Sequence, residues 1–371
     1  MKTGKKIAIV YDWFDKWGGV ERVLITFSKI FPEAVFFTSY LDADKALWAK
    51  KLSVKCSFLD KFPKFIKSNR LLSLPIFPFV FESFDFSDYD LVISITSAFA
   101  KSIVTKPTTR HVCYLLTPPR YIWSHREIYL SKIPHLLVQR FDYLKDYDQV
   151  TANRPDKMIA ISKTVKKRCK KYYGRDSEVV YPPFDVDHWT DIKKKIVGKT
   201  NRQKTEYYLL VSRLESYKRI DVAIRTFNHL NKELVIVGEG TQEGYLKEMA
   251  GNTVKFISGI SDQRLGILYS EATALIMPQE EDFGYVALEA QFFGCPVIAF
   301  KKGGSVETVL ENKTGIFFDD QTEKSLGQVV ERFEKIKYNL KRNTIKIGPQ
   351  NAGRFAQDVF VTNIINQIST V

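Results

Sequence analysis

Short apolar runs alternate with helix-like stretches along the whole chain and form two successive series. The runs have the continuous apolar character of buried parallel strands. The first series covers residues 7–12, 34–39, 91–96, 112–116 and 158–162. The second series covers residues 207–212, 234–238, 254–258, 274–277 and 297–300. At 371 residues the chain exceeds what one hydrophobic core usually organises. The pattern therefore predicts an α/β protein with two doubly wound parallel-sheet domains.

The boundary between the two series is predicted at residues 181–185, with the sequence YPPFD. Paired prolines end a strand, and the lysine-rich, weakly apolar residues 191–204 follow. We therefore expect a first domain of residues 1–184 and a second domain of residues 185–350. Ligand sites occur preferentially between domains, which predicts a substrate cleft between these two.

The most specific stretch of sequence runs from Met277 to Val309 and places Glu281 and Glu289 eight residues apart around a Phe-Gly turn. It begins at the end of a predicted buried strand, and residues 285–293 are predicted to form the next helix. Glu281 then lies on a loop at the carboxyl end of a strand, where open α/β sheets bind their ligands. A carboxylate there is suited to sugar hydroxyls, and Glu289 on the helix is suited to a second pair of hydroxyls.

This stretch, with Gly303-Gly304-Ser305 at its end, resembles the carboxyl-terminal half of glycosyltransferase family 4, with its E-x7-E motif. The resemblance implies a GT-B fold, in which two Rossmann-like domains face a cleft and bind the acceptor and the nucleotide sugar respectively. It also implies that Glu281 contacts the donor sugar and Glu289 the ribose. A last helix within residues 351–371 is expected to cross back to the first domain. Its predicted apolar face consists of Phe355, Val359, Ile364 and Ile368.

A second motif, Arg213-x4-Lys218, follows the first strand of the second series. Cleavage of a sugar–phosphate bond puts negative charge on the departing diphosphate, and fixed cations stabilise that charge. Arg213 is suited to a bidentate grip on phosphate, and Lys218 supplies a point charge. An isolated pair of this spacing is also compatible with a solvated basic turn. The pair resembles the family's phosphate-binding motif, which implies that Arg213 and Lys218 act with Glu281 in catalysis, without a metal or other cofactor.

Glycine-containing loops at strand ends complete the predicted donor site. Gly18 and Gly19 precede a helix, so backbone can approach a ligand closely there, although such a pair often only turns the chain. The surrounding sequence resembles a subgroup with many polysaccharide and O-antigen mannosyltransferases, in which this loop closes over the donor diphosphate. The resemblance assigns Gly259 and Ile260 to the nucleobase. The backbone amides assigned to the terminal phosphate or the sugar are those of Phe283, Gly284, Tyr285 and Val286.

The acceptor side is predicted from residues 113–123, which resemble the subgroup's threonine-proline and arginine-tyrosine stretch through Thr117, Arg120 and Tyr121. Many relatives have a histidine where this chain has Leu116. Its absence leaves three alternatives: an altered acceptor, a neighbour such as His125 in its place, or low activity. The resemblance implies retention of anomeric configuration, in which a leaving phosphate oxygen takes the acceptor's proton and no strong general base is needed.

Net charge limits the classes of partner that this protein is expected to bind, and composition limits its expected location in the cell. A formal net charge of +14 favours anionic partners, namely nucleotides, phospholipids or nucleic acids. The sequence has neither a signal-peptide apolar region nor a 20-residue apolar span, and its four cysteines lack paired spacing. We therefore expect a cytoplasmic protein with reduced thiols. The histidines lack zinc spacing, and the Asp-x-Asp pairs are attributed to chance, although Asp42 and Asp44 do follow an apolar strand.

Two segments are candidates for contact with a membrane. Five lysines recur at the spacing of one helical face, with Val165, Cys169 and Tyr172 on the opposite side. This face consists of Lys163, Lys166, Lys167, Lys170 and Lys171. It either solubilises the helix or binds an anionic leaflet, where each lysine contributes about 1 kcal/mol. Residues 62–81 mix basic and apolar side chains and form either an interfacial anchor or an irregular packed connection.

Motifs and resemblance together predict a metal-independent, retaining GT-B glycosyltransferase that moves a hexose from a nucleotide diphosphate to a lipid-linked saccharide during surface polysaccharide assembly. Subgroup resemblance favours mannose, with GDP-mannose as the donor. Two other functions stay open: a GT-B nucleotide-sugar epimerase or hydrolase, and a basic nucleic-acid-binding protein indicated by charge alone. We expect no nucleic-acid partner. The expected location is the cytoplasm, either free or peripheral on the inner face of the cell membrane.

Overall fold

The computed structural model describes residues 4–124, 126–127, 138–199 and 206–370. The chain divides into two compact units. The first consists of the residues up to Pro183 together with those from Phe360 onward, and the second runs from Phe184 to Val359. The division after Pro183 falls within the proline-containing segment at residues 181–185.

A seven-stranded sheet forms the centre of the first unit. Its strands are β1 (Ile7–Tyr11), β2 (Val35–Thr38), β3 (Val54–Cys56), β4 (Leu91–Thr96), β5 (Arg110–Leu115), β6 (Lys157–Ala160) and β7 (Glu178–Val179). They pair in the order β3-β2-β1-β4-β5-β6-β7, and every pair is parallel. The chain order reverses direction between β1 and β4, and open α/β sheets form a ligand crevice at the carboxyl ends of strands at such a point.

Helices that contribute apolar faces accompany this sheet. Those that the structure describes in the first unit are α1 (Gly19–Ile30), α2 (Lys64–Lys67), α3 (Arg70–Ser73), α4 (Phe77–Glu82), α5 (Val138–Thr151) and α6 (Lys163–Tyr173). Short 3-10 turns cover Leu47–Lys51, Phe58–Lys61, Leu74–Ile76 and Ala100–Ser102. In α1, Val23, Phe27 and Ile30 are buried at helical spacing, which explains why this sequence forms a helix against the sheet.

A buried polar network fixes the loop after β4 against the end of β1. The Asp12 carboxylate is fully buried and accepts hydrogen bonds from Thr96 Oγ1 at 2.8 Å and from the Ser97 backbone N–H at 2.7 Å. Burial raises the pKa of Asp12, and the hydrogen bonds oppose that rise. Nearby, Lys101 and Asp148 form an ion pair with both side chains fully buried. The loops at the carboxyl end of this sheet are therefore held by fixed polar contacts.

The second unit has a six-stranded parallel sheet. Its strands are β8 (Tyr208–Val211), β9 (Leu234–Val237), β10 (Val254–Ile257), β11 (Leu275–Met277), β12 (Val297–Phe300) and β13 (Gly315–Phe318). They pair in the order β10-β9-β8-β11-β12-β13, so that the order reverses between β8 and β11. The residues of β9, β11 and β12 are all buried, as in a parallel sheet that is covered on both faces.

The first helix described in the second unit precedes its strands, and each of the others follows a strand along the chain. The helices are α7 (Val186–Lys195), α8 (Ile220–Leu230), α9 (Glu243–Met249), α10 (Asp262–Glu271), α11 (Tyr285–Phe292), α12 (Ser305–Thr308) and α13 (Glu323–Gly353), and a 3-10 turn covers Ser216–Lys218. The helix α7 occupies the beginning of the lysine-rich stretch, and its Trp189 is fully buried.

The carboxyl-terminal region differs from its predicted boundaries. Helix α13 runs through residue 350 and ends at Gly353, and the last helix, α14, covers Gln357–Ser369. The buried face of α14 includes Phe360 and Ile364, whereas Val359 is 39% exposed. Phe360 packs edge-on against Phe27 and Tyr114 of the first unit, at ring-centroid distances of 5.7 and 5.8 Å. Of the predicted apolar face, Ile364 was therefore correct and Val359 was wrong, and Phe355 is buried but precedes the helix.

The lysine face lies on α6, whose N-terminus is capped by Ser162 and whose C-terminus ends at Gly174 in the left-handed conformation. The buried side is formed by Val165, Cys169 and Tyr173, so the prediction of Tyr172 was wrong by one position. Tyr172 instead stacks on Trp123 at 4.8 Å. The lysines are exposed except Lys166, which is partly buried and lies 3.4 Å from the Asp176 carboxylate.

The segment at residues 62–81 is partly core and partly surface. Phe77 and Phe81 are fully buried in the core of the first unit, whereas Phe65 and Phe79 are 67% and 60% exposed. In the described part of the chain, no helix combines the length and the apolar composition that crossing a bilayer requires. Of the cysteines, Cys113, Cys169 and Cys295 are buried and Cys56 is partly buried, all as free thiols.

Candidate functional site

The centre of the candidate site is an ion pair between Lys218 and Glu281. Lys218 ends the 3-10 turn after β8, and Glu281 lies on the loop after β11. Because β8 and β11 are neighbours in the sheet, their carboxyl ends bring together residues that are 63 positions apart. The Lys218 Nζ lies 2.6 Å from Glu281 Oε1, with side-chain exposures of 7% and 20%. The structure thus unites one residue from each of the two sequence motifs.

A second polar side chain, which the sequence analysis missed, fixes Glu281. Gln279 is 1% exposed, and its Nε2 donates to Glu281 Oε1 at 3.0 Å. Among the described residues, its own Oε1 has no hydrogen-bond partner. A buried acceptor of this kind costs free energy unless a ligand or a water molecule donates to it. The available signal was a glutamine that follows a wholly apolar strand and a proline.

The loop after β12 holds the backbone at Glu281. The Gly304 N–H donates to the Glu281 carbonyl at 2.7 Å, and Glu281 forms a parallel bridge with Gly303. A Cβ on Gly303 would lie 2.2 Å from the Glu281 carbonyl oxygen, and one on Gly304 would lie 2.4 Å from Phe283 Cα. Only glycine fits this approach between two backbones, which explains the Gly-Gly pair at the end of the predicted motif.

Arg213 lies in an exposed position after β8. Its Nη2 donates to the Tyr217 hydroxyl at 3.3 Å. Glycines of the loop after β9 meet the backbone on both sides of Arg213: a Cβ on Gly238 would lie 1.9 Å from the Ser212 carbonyl oxygen, and one on Gly240 would lie 2.4 Å from that of Leu214. The backbone that carries Arg213 is therefore fixed, while its guanidinium faces solvent and is available to an anion.

Glu289 lies on α11 and is 4% exposed. Its Oε2 accepts a hydrogen bond from the Tyr269 hydroxyl of α10 at 3.0 Å. Tyr269 is a second residue that the sequence analysis missed, because nothing in the spacing of α10 distinguishes it from an ordinary core tyrosine. The contact orients the carboxyl group of Glu289 in a buried setting.

The remaining predicted donor-site positions of this unit lie at element ends. Gly284 caps α11 in the left-handed conformation with φ of 94°, and Tyr285 and Val286 form its first turn. Phe283 is 3% exposed and packs against Phe355, so its side chain belongs to the core. Gly259 is exposed just after β10, with φ of 63°, and Ile260 beside it is partly exposed. The assigned contacts with phosphate and nucleobase stay predictions.

The other predicted residues belong to the first unit. Gly18 is the N-cap of α1, and both Gly18 and Gly19 are exposed. Leu116 and Thr117 follow β5, and the buried Thr117 hydroxyl accepts a hydrogen bond from Arg168 Nη1 at 3.2 Å. Arg120 and Tyr121 are partly exposed. His125 lies outside the described residues.

The match to a known protein family lies within the second unit. Residues 191–351 match the model of the family described as glycosyl transferases group 1. Over 283 residues the chain is 25% identical to mouse alpha-1,3/1,6-mannosyltransferase ALG2, which covers 66% of this chain and 68% of that protein. It is 26% identical over 216 residues to an uncharacterized glycosyltransferase of Methanocaldococcus jannaschii, with 53% of each chain covered. The chain thus spans between about half and two thirds of these relatives' length.

Solved structures resemble the chain over nearly its whole length. Anabaena Alr3699/HepE in complex with UDP covers 99% of this chain and 100% of its own, with a TM-score of 0.73 and 20% identity. Sucrose-phosphate synthase from Thermosynechococcus elongatus covers 99% of both chains, with a TM-score of 0.74 and 16% identity. The chain therefore has the GT-B fold, and its residues 191–351 are similar to the glycosyltransferase family described as glycosyl transferases group 1.

Proposed function

We propose that this protein is a retaining, metal-independent glycosyltransferase that moves mannose from GDP-mannose to a lipid-linked saccharide in cell-surface polysaccharide assembly. The observation that carries the proposal is the Lys218–Glu281 pair at the carboxyl edge of the second sheet, with Arg213 exposed on the same loop as Lys218. Mannose is favoured by relatives named mannosyltransferases, whereas the Anabaena structures were solved with UDP and UDP-glucose. The nucleobase is therefore the first point to test.

The two cations suit the charge that develops when a sugar leaves a diphosphate. Lys218 is buried and held against Glu281 at 2.6 Å, so its ammonium group is already positioned before a ligand arrives. A preorganised cation in a site of low water content stabilises charge more strongly than one in bulk water. When the donor binds, the diphosphate replaces Glu281 as the partner of the Lys218 ammonium group. Hydroxyls of the donor sugar then donate hydrogen bonds to the Glu281 carboxylate. Glu289, which is oriented by Tyr269, is assigned to the ribose hydroxyls.

A retaining mechanism that needs no side-chain base is compatible with leucine at position 116. In that mechanism the acceptor hydroxyl attacks from the face that the diphosphate leaves, and a phosphate oxygen accepts its proton. Leucine can neither accept nor donate a proton, so a mechanism that requires an imidazole at this position is unsuited to this chain. Substrate-assisted proton transfer requires no side-chain base.

A panel of nucleotide sugars tests the donor by thermal shift. A ligand present at 100 times its Kd adds about 2.7 kcal/mol to the free energy of unfolding, so the preferred donor is expected to raise Tm most. We expect GDP-mannose to exceed GDP-glucose, UDP-glucose and UDP alone. A larger shift with UDP-glucose would contradict the donor assignment.

Release or epimerisation of the sugar without acceptor would favour the hydrolase or epimerase alternative. Salt-sensitive oligonucleotide binding that no nucleotide sugar displaces would favour nucleic-acid recognition.

A lipid-linked acceptor lies at a membrane surface, and α6 offers a means of reaching it. Lys163, Lys167, Lys170 and Lys171 are exposed on one helix, which lies between β6 and β7 along the chain. At about 1 kcal/mol for each lysine near an anionic leaflet, these side chains provide reversible attachment that salt weakens.

Replacement of Lys167, Lys170 and Lys171 by glutamine is expected to reduce sedimentation with vesicles that contain phosphatidylglycerol. It should also slow transfer to a lipid-linked acceptor and leave transfer to a short soluble analogue unchanged. The matched control replaces Lys313, Lys324 and Lys335, which are exposed lysines of the second unit, and should retain vesicle binding. Equal losses on both acceptors would place the α6 lysines in the fold or the active site, and unchanged vesicle binding would make them a solvated face.

A further inference from the structure

A pocket of about 290 Å³ lies beyond the carboxyl end of β2 in the first unit. Its lining includes Tyr40, Asp42, Asp44, Phe62, Lys64 and Lys67. Loops at the carboxyl ends of parallel strands form the ligand-binding edge of an open α/β sheet, and this pocket lies on that edge. None of its lining residues takes part in the donor site of the second unit.

One wall of the pocket is hydrogen-bonded to the loop that leads from β1 to Gly18 and Gly19. The Phe14 N–H donates to the Tyr40 carbonyl at 3.0 Å, and the Asp42 N–H donates to the Phe14 carbonyl at 2.7 Å. The Tyr40 hydroxyl also donates to Asp15 Oδ2 at 3.2 Å. A ligand in the pocket therefore lies beside the loop that is predicted to close over the donor diphosphate.

Asp60 holds two further parts of the pocket lining, at Leu41 and Lys67. Its Oδ1 accepts hydrogen bonds from the Leu41 N–H at 3.2 Å and from Lys67 Nζ at 2.8 Å. Lys67 Nζ also donates to the Asp60 carbonyl at 2.8 Å and lies 6.0 Å from the centre of the Tyr40 ring. Because these contacts link the segment after β2 to helix α2, the pocket is formed before any ligand binds.

The pocket lining combines charged side chains of both signs with an exposed aromatic ring. Asp42 Oδ2 lies 3.6 Å from Lys64 Nζ, and the Asp42 side chain is only 10% exposed. Asp44 is exposed, and no ion-pair partner for it occurs in the described part of the chain. Lys64 is paired with Asp42 and Lys67 with Asp60, so an anionic ligand gains little net attraction. Carboxylates accept hydrogen bonds from hydroxyls, ammonium groups donate to hydroxyl oxygens, and the 37%-exposed Phe62 offers an apolar surface to C–H groups.

We propose that this pocket is a saccharide subsite that holds one neutral sugar residue of the acceptor beside the Gly18–Gly19 loop. Its assignment to the acceptor rests on the proposed function, whereas the binding of a neutral saccharide rests on the pocket alone. The subsite also gives a role to Asp42 and Asp44, whose Asp-x-Asp spacing the sequence analysis attributed to chance. Lys64 beside Asp42 supplies the positive charge that a metal would otherwise bring.

Saturation-transfer NMR with the full-length protein tests binding directly, with methyl α-mannoside and a neutral mannobiose as probes. We expect Asp44→Ala and Phe62→Ala to weaken saccharide binding by about tenfold, equivalent to about 1.4 kcal/mol. The matched controls are Asp88→Ala and Phe79→Ala, which remove an exposed aspartate and an exposed phenylalanine of the same unit outside the pocket. The controls should bind both probes as the unaltered protein does.

Transfer assays with a soluble saccharide acceptor provide the second readout. The pocket variants should raise KM for the acceptor by about tenfold, with the Kd for the nucleotide sugar unchanged. Equal saccharide binding by pocket and control variants, or displacement of the saccharide by manganese or inorganic diphosphate, would overturn the subsite. Saccharide binding that depends on the pocket, in a protein that transfers no hexose, would contradict the proposed function and support the subsite.

Discussion

Replacement of Glu281 by glutamine is expected to reduce hexose transfer by more than about 100-fold, the scale of losing one preorganised polar contact to a transition state. Nucleotide affinity should change little, because the carboxylate is assigned to the sugar and the nucleotide has other contacts. Glutamine keeps an oxygen that accepts from Lys218, but it removes the negative charge that pairs with this buried ammonium group. The rate loss therefore reports on charge at the sugar and not on the space that the side chain occupies.

The control for this substitution is Glu311→Gln, which removes the same charge from an exposed position of the same unit. Its transfer rate should match that of the unaltered protein. The free energy of unfolding and the Kd for the nucleotide are measured for both variants, so that a loss of fold is separated from a loss of chemistry. Near-normal turnover by Glu281→Gln would show that the Glu281 carboxylate has no catalytic role.

The sequence predicted those strands that lie inside a sheet, because burial on both faces requires a continuous apolar run. Strands β1, β4 and β9 are of this kind. The edge strands β3 and β7, with sequences VKC and EV, lack such a run and were not predicted. At the edges of the second sheet, β10 was predicted, whereas β13 was not predicted although its residues are buried. An edge strand is paired on one side only, so backbone hydrogen bonding forms it with little help from side-chain burial.

The sequence predicted those residues of the candidate site that belong to a recognisable motif. Lys218 and Glu281 belong to patterns with a defined spacing, and the fold brings them within 2.6 Å of each other. Gln279 and Tyr269 acquire their roles only from contacts with Glu281 and Glu289. A glutamine after a strand and a tyrosine on a helix are common in any α/β protein. Their positions become informative only when the three-dimensional neighbours are known.

Removal of either cation, by Arg213→Ala or Lys218→Ala, is expected to reduce the transfer rate on the order of 100 to 1000-fold, because each stabilises charge on the leaving diphosphate. The two variants should differ in stability. Arg213 is exposed, so its loss leaves the free energy of unfolding nearly unchanged. Lys218 is 6% exposed, and its loss removes the ion pair with Glu281. Breaking a fully buried pair typically costs about 3–5 kcal/mol.

A smaller loss, about 1–3 kcal/mol, is expected for Lys218→Ala, because Glu281 is 20% exposed and keeps its hydrogen bond from Gln279. The double variant Lys218→Met with Glu281→Gln removes both charges and should recover part of this stability without recovering activity. That difference separates the cation's role in the reaction from its role in the fold. The exposed Arg332→Ala serves as the control for Arg213→Ala and should transfer hexose normally.

A chelator supplies the last arm of the experiment. If Arg213 and Lys218 neutralise the diphosphate, EDTA should leave the rate of the unaltered protein unchanged, and added magnesium or manganese should not rescue either variant. A metal-dependent enzyme gives the opposite result, because its divalent ion carries most of the positive charge at the phosphate. Activity that disappears with EDTA and returns with magnesium or manganese would therefore transfer this role from the two side chains to a metal.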